Sequence, residues 1–506
     1  MKDSKNYSQI IKSSSMIGGA QGLNMLIGMV RVKFVAILLG PIGVGLVATY
    51  QSIVQLVGTV AGLGLQSSAV RDIAQTVGKD DKEHLGRIVL SLRRMCWLTG
   101  GTGAVTLALL SPILSQVTFD SPEFSNNIAL LGLTILFTNL KGGQMALIQG
   151  MRRISDLAKL NVIGVVIGTI LSIVLYWFYG MDGIVPAIVL LSLSELCVSW
   201  LFARKVSVPK VSMTWVESFQ VSGGMIKMGL AFMWNGLLIA IVAYCTRTLI
   251  AQEVDLLAVG IFSAAFALSG LIVNFVLGAM GADYYPSLTA IKDDHKKMTV
   301  LVNQQTEVGI LLAIPGLLAT ISFAPWVINL FYTAEFIQSS ELLRWFALGC
   351  IGRVISWPLG FIILAKGLSR LFVITETIIN ITHLVLIITM LDYFGIKGVA
   401  IAYPILYLIH IFMMLGVSKY LIGFSWSKEV WRMFGIFTPI VLGVFCSAMF
   451  LSIFTSSVIG VVVTIVVSTI CFQNVLYRLG SEHKIHRVVN SAPLIKHILV
   501  RKNNKH

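Results

Sequence analysis

The sequence predicts an all-α integral membrane protein of about 14 transmembrane helices, built as two parallel-repeat six-helix bundles with a further C-terminal helix pair. Three observations carry this. Of the 506 residues, 56% are hydrophobic and only 12% charged. Apolar runs of about 20 residues, the length a bilayer requires, recur from near residue 9 to near residue 478. The chain also resembles itself at an offset of 215 residues.

The predicted spans lie near 9–39, 43–70, 88–115, 128–150, 157–179, 183–203, 225–247, 257–282, 300–331, 342–365, 371–391, 397–418, 433–454 and 457–477. Sorting the 38 Lys and Arg residues by the side of the membrane each loop should occupy puts 32 with the N-terminus, the even-to-odd loops and the C-terminal tail. Arg247, Arg344 and Lys397 fall on the opposite side, and Arg31, Lys33 and Arg353 fall inside spans. Positive charge collects on the cytoplasmic side, so both termini are predicted to be cytoplasmic. The net charge of +15 is therefore a topology signal dispersed over many loops, which argues against nucleic-acid binding. The first apolar run is too long for a cleavable signal and lacks a small-residue cleavage site. Cys96, Cys197, Cys245, Cys350, Cys446 and Cys471 lie in or at the ends of spans without CxxC spacing, so neither disulfides nor a metal site are expected.

The repeat lays Tyr179-Gly180-Met181-Asp182-Gly183 over Phe394-Gly395-Ile396-Lys397-Gly398, and Val44-Gly45-Leu46 over Val259-Gly260-Ile261, both at 215. Gln149-Gly150-Met151-Arg152-Arg153 resembles Lys366-Gly367-Leu368-Ser369-Arg370 at 217. A unit of six spans is even, so the halves share one orientation and are related by an axis along the membrane normal. The predicted organisation is a first bundle at 1–204, a cytoplasmic linker at 205–222, a second bundle at 223–420, the extra helix pair at 421–480 and a basic tail at 481–506. In such architectures the substrate binds between the bundles, and one bundle rocks against the other to alternate access.

Polar residues inside spans need a reason, because a guanidinium at the bilayer centre costs at least a few kcal/mol. Gln21, Asn24, Gly28 and Arg31 fall within an arc of about 80° on the first helix. This polar stripe places Arg31 toward a hydrated cavity or a buried partner; the alternative is an ion pair holding helices together. Lys33 projects about 160° away from Arg31, to snorkel or to pair with another helix, and the sequence gives no firm account of it. Gln51, Gln55, Thr59, Gly62 and Gln66 make a second stripe on the next helix, which fits a wet cavity or serves as interhelical glue. Arg71 closes that helix as a topology anchor or an anion contact. Arg247 ends the seventh span one residue from the repeat equivalent of Arg31. Two arginines so placed suit pyrophosphate, which a guanidinium can grip with two bonds. Ser263, Gly270 and Asn274 form a milder stripe on the eighth span. Glu376, Asn380 and His383 share one face of the eleventh, where a carboxyl and an imidazole could carry a proton or form a structural cluster, and Glu195 is a weaker candidate. No GxxxxGK[ST], HExxH, GxSxG or CxxC pattern is present, so neither an ATP motor nor a familiar hydrolytic centre is expected in this chain.

The turn LGPIGVG at 39–45, the long polar first helix and the GLQSSAVR segment at 64–71 resemble the multidrug/oligosaccharidyl-lipid/polysaccharide exporter superfamily. Within it the chain is similar to the polysaccharide-biosynthesis branch, the O-antigen and related lipid-linked oligosaccharide flippases of bacterial inner membranes. The resemblance covers 9–418 and implies a V-shaped cavity for the pyrophosphate and sugars of an undecaprenyl-pyrophosphate-linked glycan, whose tail stays in lipid. Cavity arginines recur in such flippases, and Arg31 and Arg247 are the matching positions; Asn24, Gln21, Gln51 and Gln55 would bond sugars. The last two spans resemble the extra pair of the lipid II flippase. Membrane lipids and other polysaccharide-assembly proteins are the implied partners, with no cofactor and with protons, sodium or membrane potential left open as energy source. A cation-coupled multidrug exporter, dependent on Glu376 or Glu195, and a membrane glycosyltransferase or polymerase remain as competing expectations.

Overall fold

A proline after a glycine sets the first corner. In the computed structural model, which describes residues 2–79 and 81–479, helix α1 (Lys2–Gly62) breaks at Gly40, whose φ of 64° and ψ of −168° are accessible to glycine almost alone. Pro41 lacks the amide hydrogen that a continuous helix would need. The two arms of α1 are thus the first two predicted crossings. The predicted tail at 481–506 lies outside the described residues.

Contacts group the described chain up to Ile261, with Phe331–Glu335, into a first unit, and Phe262–Leu330 with the chain from Phe336 onward into a second. The first holds α1, α2 (Leu65–Gly78), α3 (Lys82–Phe119), α4 (Ser125–Leu130), α5 (Gly132–Gly150), α6 (Ile154–Tyr179), α7 (Ile184–Ala203), α8 (Trp215–Glu253) and the start of α9 (Leu256–Ala290). The second holds the rest of α9, α10 (His295–Ser322), most of α11 (Ala324–Phe331), α12 (Ser339–Ala365), α13 (Ser369–Phe394), α14 (Ile396–Ile422), α15 (Lys428–Phe450) and α16 (Ile453–Leu479). Among the described residues no strand occurs.

Among the described residues, eleven helical stretches are long and apolar enough to cross a membrane. Two of them, Gln21–Gly62 and Ile154–Ala203, contain turns at Gly40 and at Gly180–Gly183 and so each supply two crossings. The remaining predicted crossing is α5, which carries Asn139, Lys141 and Gln144 along its length. The protein is a multi-pass membrane protein.

The repeat is written in the backbone. α6 and α13 both have 26 residues and begin and end 215 positions apart. The residues ahead of them, Arg153 and Leu368, share φ/ψ values of −83°/63° and −84°/63°. Arg152 and Gly367 before those both have positive φ, 56° and 71°. The 217 offset read for this motif is therefore corrected to 215: the matched conformations pair Arg152 with Gly367, and glycine is simply the easier residue there.

The predicted second span, 43–70, also needs correction. It stops at Leu63 and Gly64, which both enter the left-handed region at φ 46° and 63°, and Leu65 starts α2. At this break the backbones of two segments nearly touch: a Cβ on Gly229 would lie 2.2 Å from the Leu63 carbonyl oxygen, and one on Gly64 would lie 2.1 Å from the Gly229 carbonyl oxygen. Arg71 accordingly sits inside α2, exposed, rather than closing the second span.

A buried cluster that includes Leu65, Ile73, Leu92, Met95, Ile148 and Leu160 packs the end of the first unit where α2 lies. In the second unit Tyr284, Leu288, Met298, Leu359, Ile362 and Met414 play the same part. There the N-cap carboxylate of Asp294 accepts the Lys297 amide hydrogen at the start of α10, and this bond holds it below the usual aspartate range. Ser427 caps α15 through the Val430 amide, and its own backbone amide donates to Asn303 Oδ1 of α10. Glu307 of α10 pairs with Arg478 of α16, which ties the C-terminal helix pair to the bundle.

Candidate functional site

The second arm of α1, α2, α3, α5 and α8 line an open cavity of about 490 Å³ within the first unit. Its polar lining comes from Gln55 and Thr59 of α1, Gln66 and Ser67 beside the α1–α2 break, and Thr138 and Asn139 of α5. The threonines spend their hydrogens on their own helices: Thr59 Oγ1 donates to the Gln55 carbonyl at 2.6 Å and Thr138 Oγ1 to the Thr134 carbonyl at 2.8 Å. Their oxygens keep lone pairs free to accept. The side-chain amides of Gln55 and Gln66 make no hydrogen bond among the described residues, so each offers donor and acceptor capacity to a ligand. Glycine brings these amides close. A Cβ on Gly142 would meet Gln66 Oε1 at 3.2 Å, so side-chain room on α5 has been given up to the glutamine. Such a wall suits hydroxyl-rich ligands, each group of which both donates and accepts.

Of the stripe predicted on the second span, Gln55, Thr59, Gly62 and Gln66 line this one cavity, although the helix break assigns Gln66 to α2. Gln51 is exposed and does not belong to that lining. On the first arm of α1, Gln21 is exposed, Asn24 and Arg31 are half-buried, and none lines this cavity. Asn24 Oδ1 is buried and, among the described residues, has no hydrogen-bond partner. Arg31 forms no ion pair among the described residues and lies within electrostatic reach of the Tyr176 phenol on α6. Arg247, on α8, donates from Nη1 to the Ala243 carbonyl of its own helix at 2.8 Å, one turn from Tyr244, whose hydroxyl meets Thr118 Oγ1 at 2.9 Å. Arg71 donates from Nη1 toward Met228 Sδ at 2.7 Å, linking α2 to α8.

In the second unit Asn274 is exposed on α9, while Glu376 and His383 are half-buried on α13. The His383 ring lies 6.1 Å from that of Tyr403 on α14. Glu195 of α7 is engaged: Lys141 Nζ of α5 sits 2.8 Å from its carboxylate, both side chains about four-fifths buried. The charge sorting had counted Lys141 with the cytoplasmic loops, but it stands in mid-helix on α5. Sequence reasoning missed Thr138 and Asn139 as well. The signal was there, since Thr134, Thr138 and Lys141 recur at helical spacing on one face of an otherwise apolar stretch.

The family described as polysaccharide biosynthesis protein matches residues 34–341, more than half of the chain. The lipid III flippase of Escherichia coli (strain K12) is 20% identical over 407 residues, covering 78% of this chain and 94% of that protein. The lipid III flippase of Shigella flexneri matches to the same extent. Among solved structures, the lipid II flippase in its inward closed conformation superposes with a TM-score of 0.69 at 15% identity, covering 90% of this chain and 98% of that one. An inward-facing multidrug resistance transporter of the MOP superfamily gives 0.64 at 16% identity, covering 79% and 95%. The fold is that of the MOP superfamily, and the chain belongs to the polysaccharide biosynthesis protein family.

Proposed function

We propose that this protein is a flippase that carries a polyprenyl-pyrophosphate-linked oligosaccharide from the cytoplasmic to the outer leaflet of the bacterial inner membrane. The observation that carries the reading is the cavity wall with the uncommitted side-chain amides of Gln55 and Gln66, joined by Asn139, whose amide nitrogen donates to the Ile135 carbonyl of its own helix, inside a membrane-embedded helical unit. Aliphatic drugs would leave those amides unsatisfied at a cost of about 1–3 kcal/mol each, whereas sugar hydroxyls satisfy them. The names of the two lipid III flippases and of the lipid II flippase among its relatives support the same substrate class.

In this reading Arg31 and Arg247 attract the pyrophosphate, Arg71 meets anionic groups at the cytoplasmic mouth, and Asn24, Gln21, Gln51 and Asn274 add sugar contacts along the path. Two bundles, 1–204 and 223–420, alternate access around the site, with both termini cytoplasmic and with Glu376 and His383 coupling the cycle to an ion. An undecaprenyl carrier, membrane lipids and other polysaccharide-assembly proteins are the partners. The test is made in cells depleted of the protein, by extracting polyprenyl-linked lipids and locating the completed oligosaccharide lipid. It should accumulate on the cytoplasmic face and be cleared by wild type but not by Arg31→Ala with Arg247→Ala. Normal export with the precursor present would remove the flippase reading.

A further inference from the structure

Half of the polar wall of the cavity in the first unit has already spent hydrogen. Thr59 and Thr138 give their hydroxyl hydrogens to the carbonyls of Gln55 and Thr134, and Asn139 gives an amide hydrogen to the Ile135 carbonyl at 3.2 Å. These three lining residues therefore meet a ligand chiefly as acceptors. Glycine makes room for one of their oxygens: a Cβ on Gly62, also in the lining, would lie 3.3 Å from Asn139 Oδ1. Free hydrogens come from Gln55, Gln66 and Ser67, whose side chains make no hydrogen bond among the described residues. Among the described residues no Lys, Arg, His, Asp or Glu lines the cavity. The cations nearest to it along the chain are engaged or stand outside it. Lys141, next to Gly142 of the lining, pairs with Glu195 at 2.8 Å. Arg94, two residues before Cys96 of the lining, donates to the Met213 and Thr214 carbonyls, and Arg93 beside it is exposed. Arg71, one turn beyond Ser67, donates toward Met228 Sδ.

We propose that this cavity selects uncharged sugars and turns away sugars that carry a carboxylate, so that the cargo is a neutral glycan. The inference rests on the flippase reading above and narrows its substrate class. A sugar hydroxyl donates one hydrogen and accepts others, so it can aim that hydrogen at Thr59, Thr138 or Asn139 and accept from Gln55, Gln66 or Ser67. An ionised carboxylate only accepts. It meets the oxygens of three wall residues with no hydrogen to offer, finds no guanidinium or ammonium in the lining, and gives up hydration without a charged partner in return. The pyrophosphate of the same cargo is acceptor-only as well, which keeps it off this wall and with the arginines outside it. A cationic drug fares no better, since no acid lines the cavity among the described residues.

Export from two bacterial strains separates this inference from the reading it rests on. Each strain lacks its own flippase and makes the same lipid-linked hexose repeat unit, but in one of them a C6 hydroxymethyl group is oxidised to a carboxylate. The full-length wild-type protein should export the neutral unit roughly tenfold faster or more, a comparison that depends on no variant. Gln66→Lys, and separately Thr138→Lys on α5, should each narrow that ratio about tenfold, because an ammonium in the wall gives the carboxylate both charge and hydrogens. Equal export of the two units, or faster export of the acidic one, overturns the inference and leaves the flippase reading in place. Export of neither removes both. A neutral preference that persists in both lysine variants, each present in the membrane at the wild-type level, overturns its assignment to this wall.

Discussion

The Nζ of Lys33 donates a hydrogen bond to the backbone carbonyl of Tyr332, 299 residues further along the chain. Tyr332 directly follows the last residue of α11, so its carbonyl belongs to the negative end of that short helix. The lysine that had no firm account in the sequence is thus satisfied by backbone from a segment, Phe331–Glu335, whose flanking chain on both sides belongs to the other unit. Glu335 is held nearby, its Oε2 3.3 Å from where a Cβ on Gly40 would stand.

Replacing Lys33 by methionine keeps the length and apolar stem of the side chain and removes the bond. A hydrogen bond to a charged group contributes about 1.5–3 kcal/mol, so the amides of 331–335 should exchange roughly tenfold faster or more. Hydrogen exchange on the purified protein measures this, and unchanged protection would mean that the bond does not hold the segment.

Gly229 and Gly223 lie on the same helix and should respond in opposite ways. A methyl on Gly229 runs into the Leu63 carbonyl, whereas one on Gly223 meets nothing within 4 Å. Gly229→Ala should destabilise by about 1–3 kcal/mol as the two backbones are forced apart. Gly223→Ala should be neutral or stabilise by about 0.5–1 kcal/mol, as in any helix interior. Unfolding in mild detergent compares the two, and equal behaviour would contradict the close approach.

Gln55→Leu and Gln66→Leu remove amides that hold nothing else in place. Folding should survive both, while glycan export should fall roughly tenfold for each hydrogen bond lost to the cargo. Export assayed beside a melting curve separates the effects. Full export by the double variant would exclude this wall from the path.

The Lys141–Glu195 pair predicts a non-additive series. Either Lys141→Met or Glu195→Gln leaves one ion without its partner in an apolar surrounding, at a cost of about 3–5 kcal/mol. Lys141→Met with Glu195→Leu should recover most of that loss. A stable double variant that exports normally marks the pair as a structural tie between α5 and α7. A stable but inactive one would return Glu195 to the coupling role read from the sequence.

Much of the architecture was legible in the residues themselves because its causes are local. Apolar length defines a crossing, and Gly40-Pro41 enforces the first corner through two backbone restrictions that need no neighbour. The Tyr179–Gly183 and Phe394–Gly398 motifs announced turns that recur in the structure, with Gly180 at φ 54° and Gly395 at φ 59°. The stripe of Gln55, Thr59 and Gln66 was visible from helical periodicity alone, since one face of a helix follows from spacing.

Spacing does not say what that face meets. Asn139 lines the same cavity as Gln55 and Gln66 from a helix taken from its sequence only as an apolar span, and α1 alone could not have named it. Glu195 looked available until α5 brought Lys141 within 2.8 Å. The end of the second span depended on Gly64 having to accommodate Gly229, a residue far along the chain. By itself the sequence determined the crossings, their corners and the repeat, because those depend on hydropathy and on local φ/ψ limits. Tertiary structure decided which buried polar groups are spent on one another and which remain free, because desolvated charges and amides take their partners from neighbouring helices, and helix neighbours are set by packing.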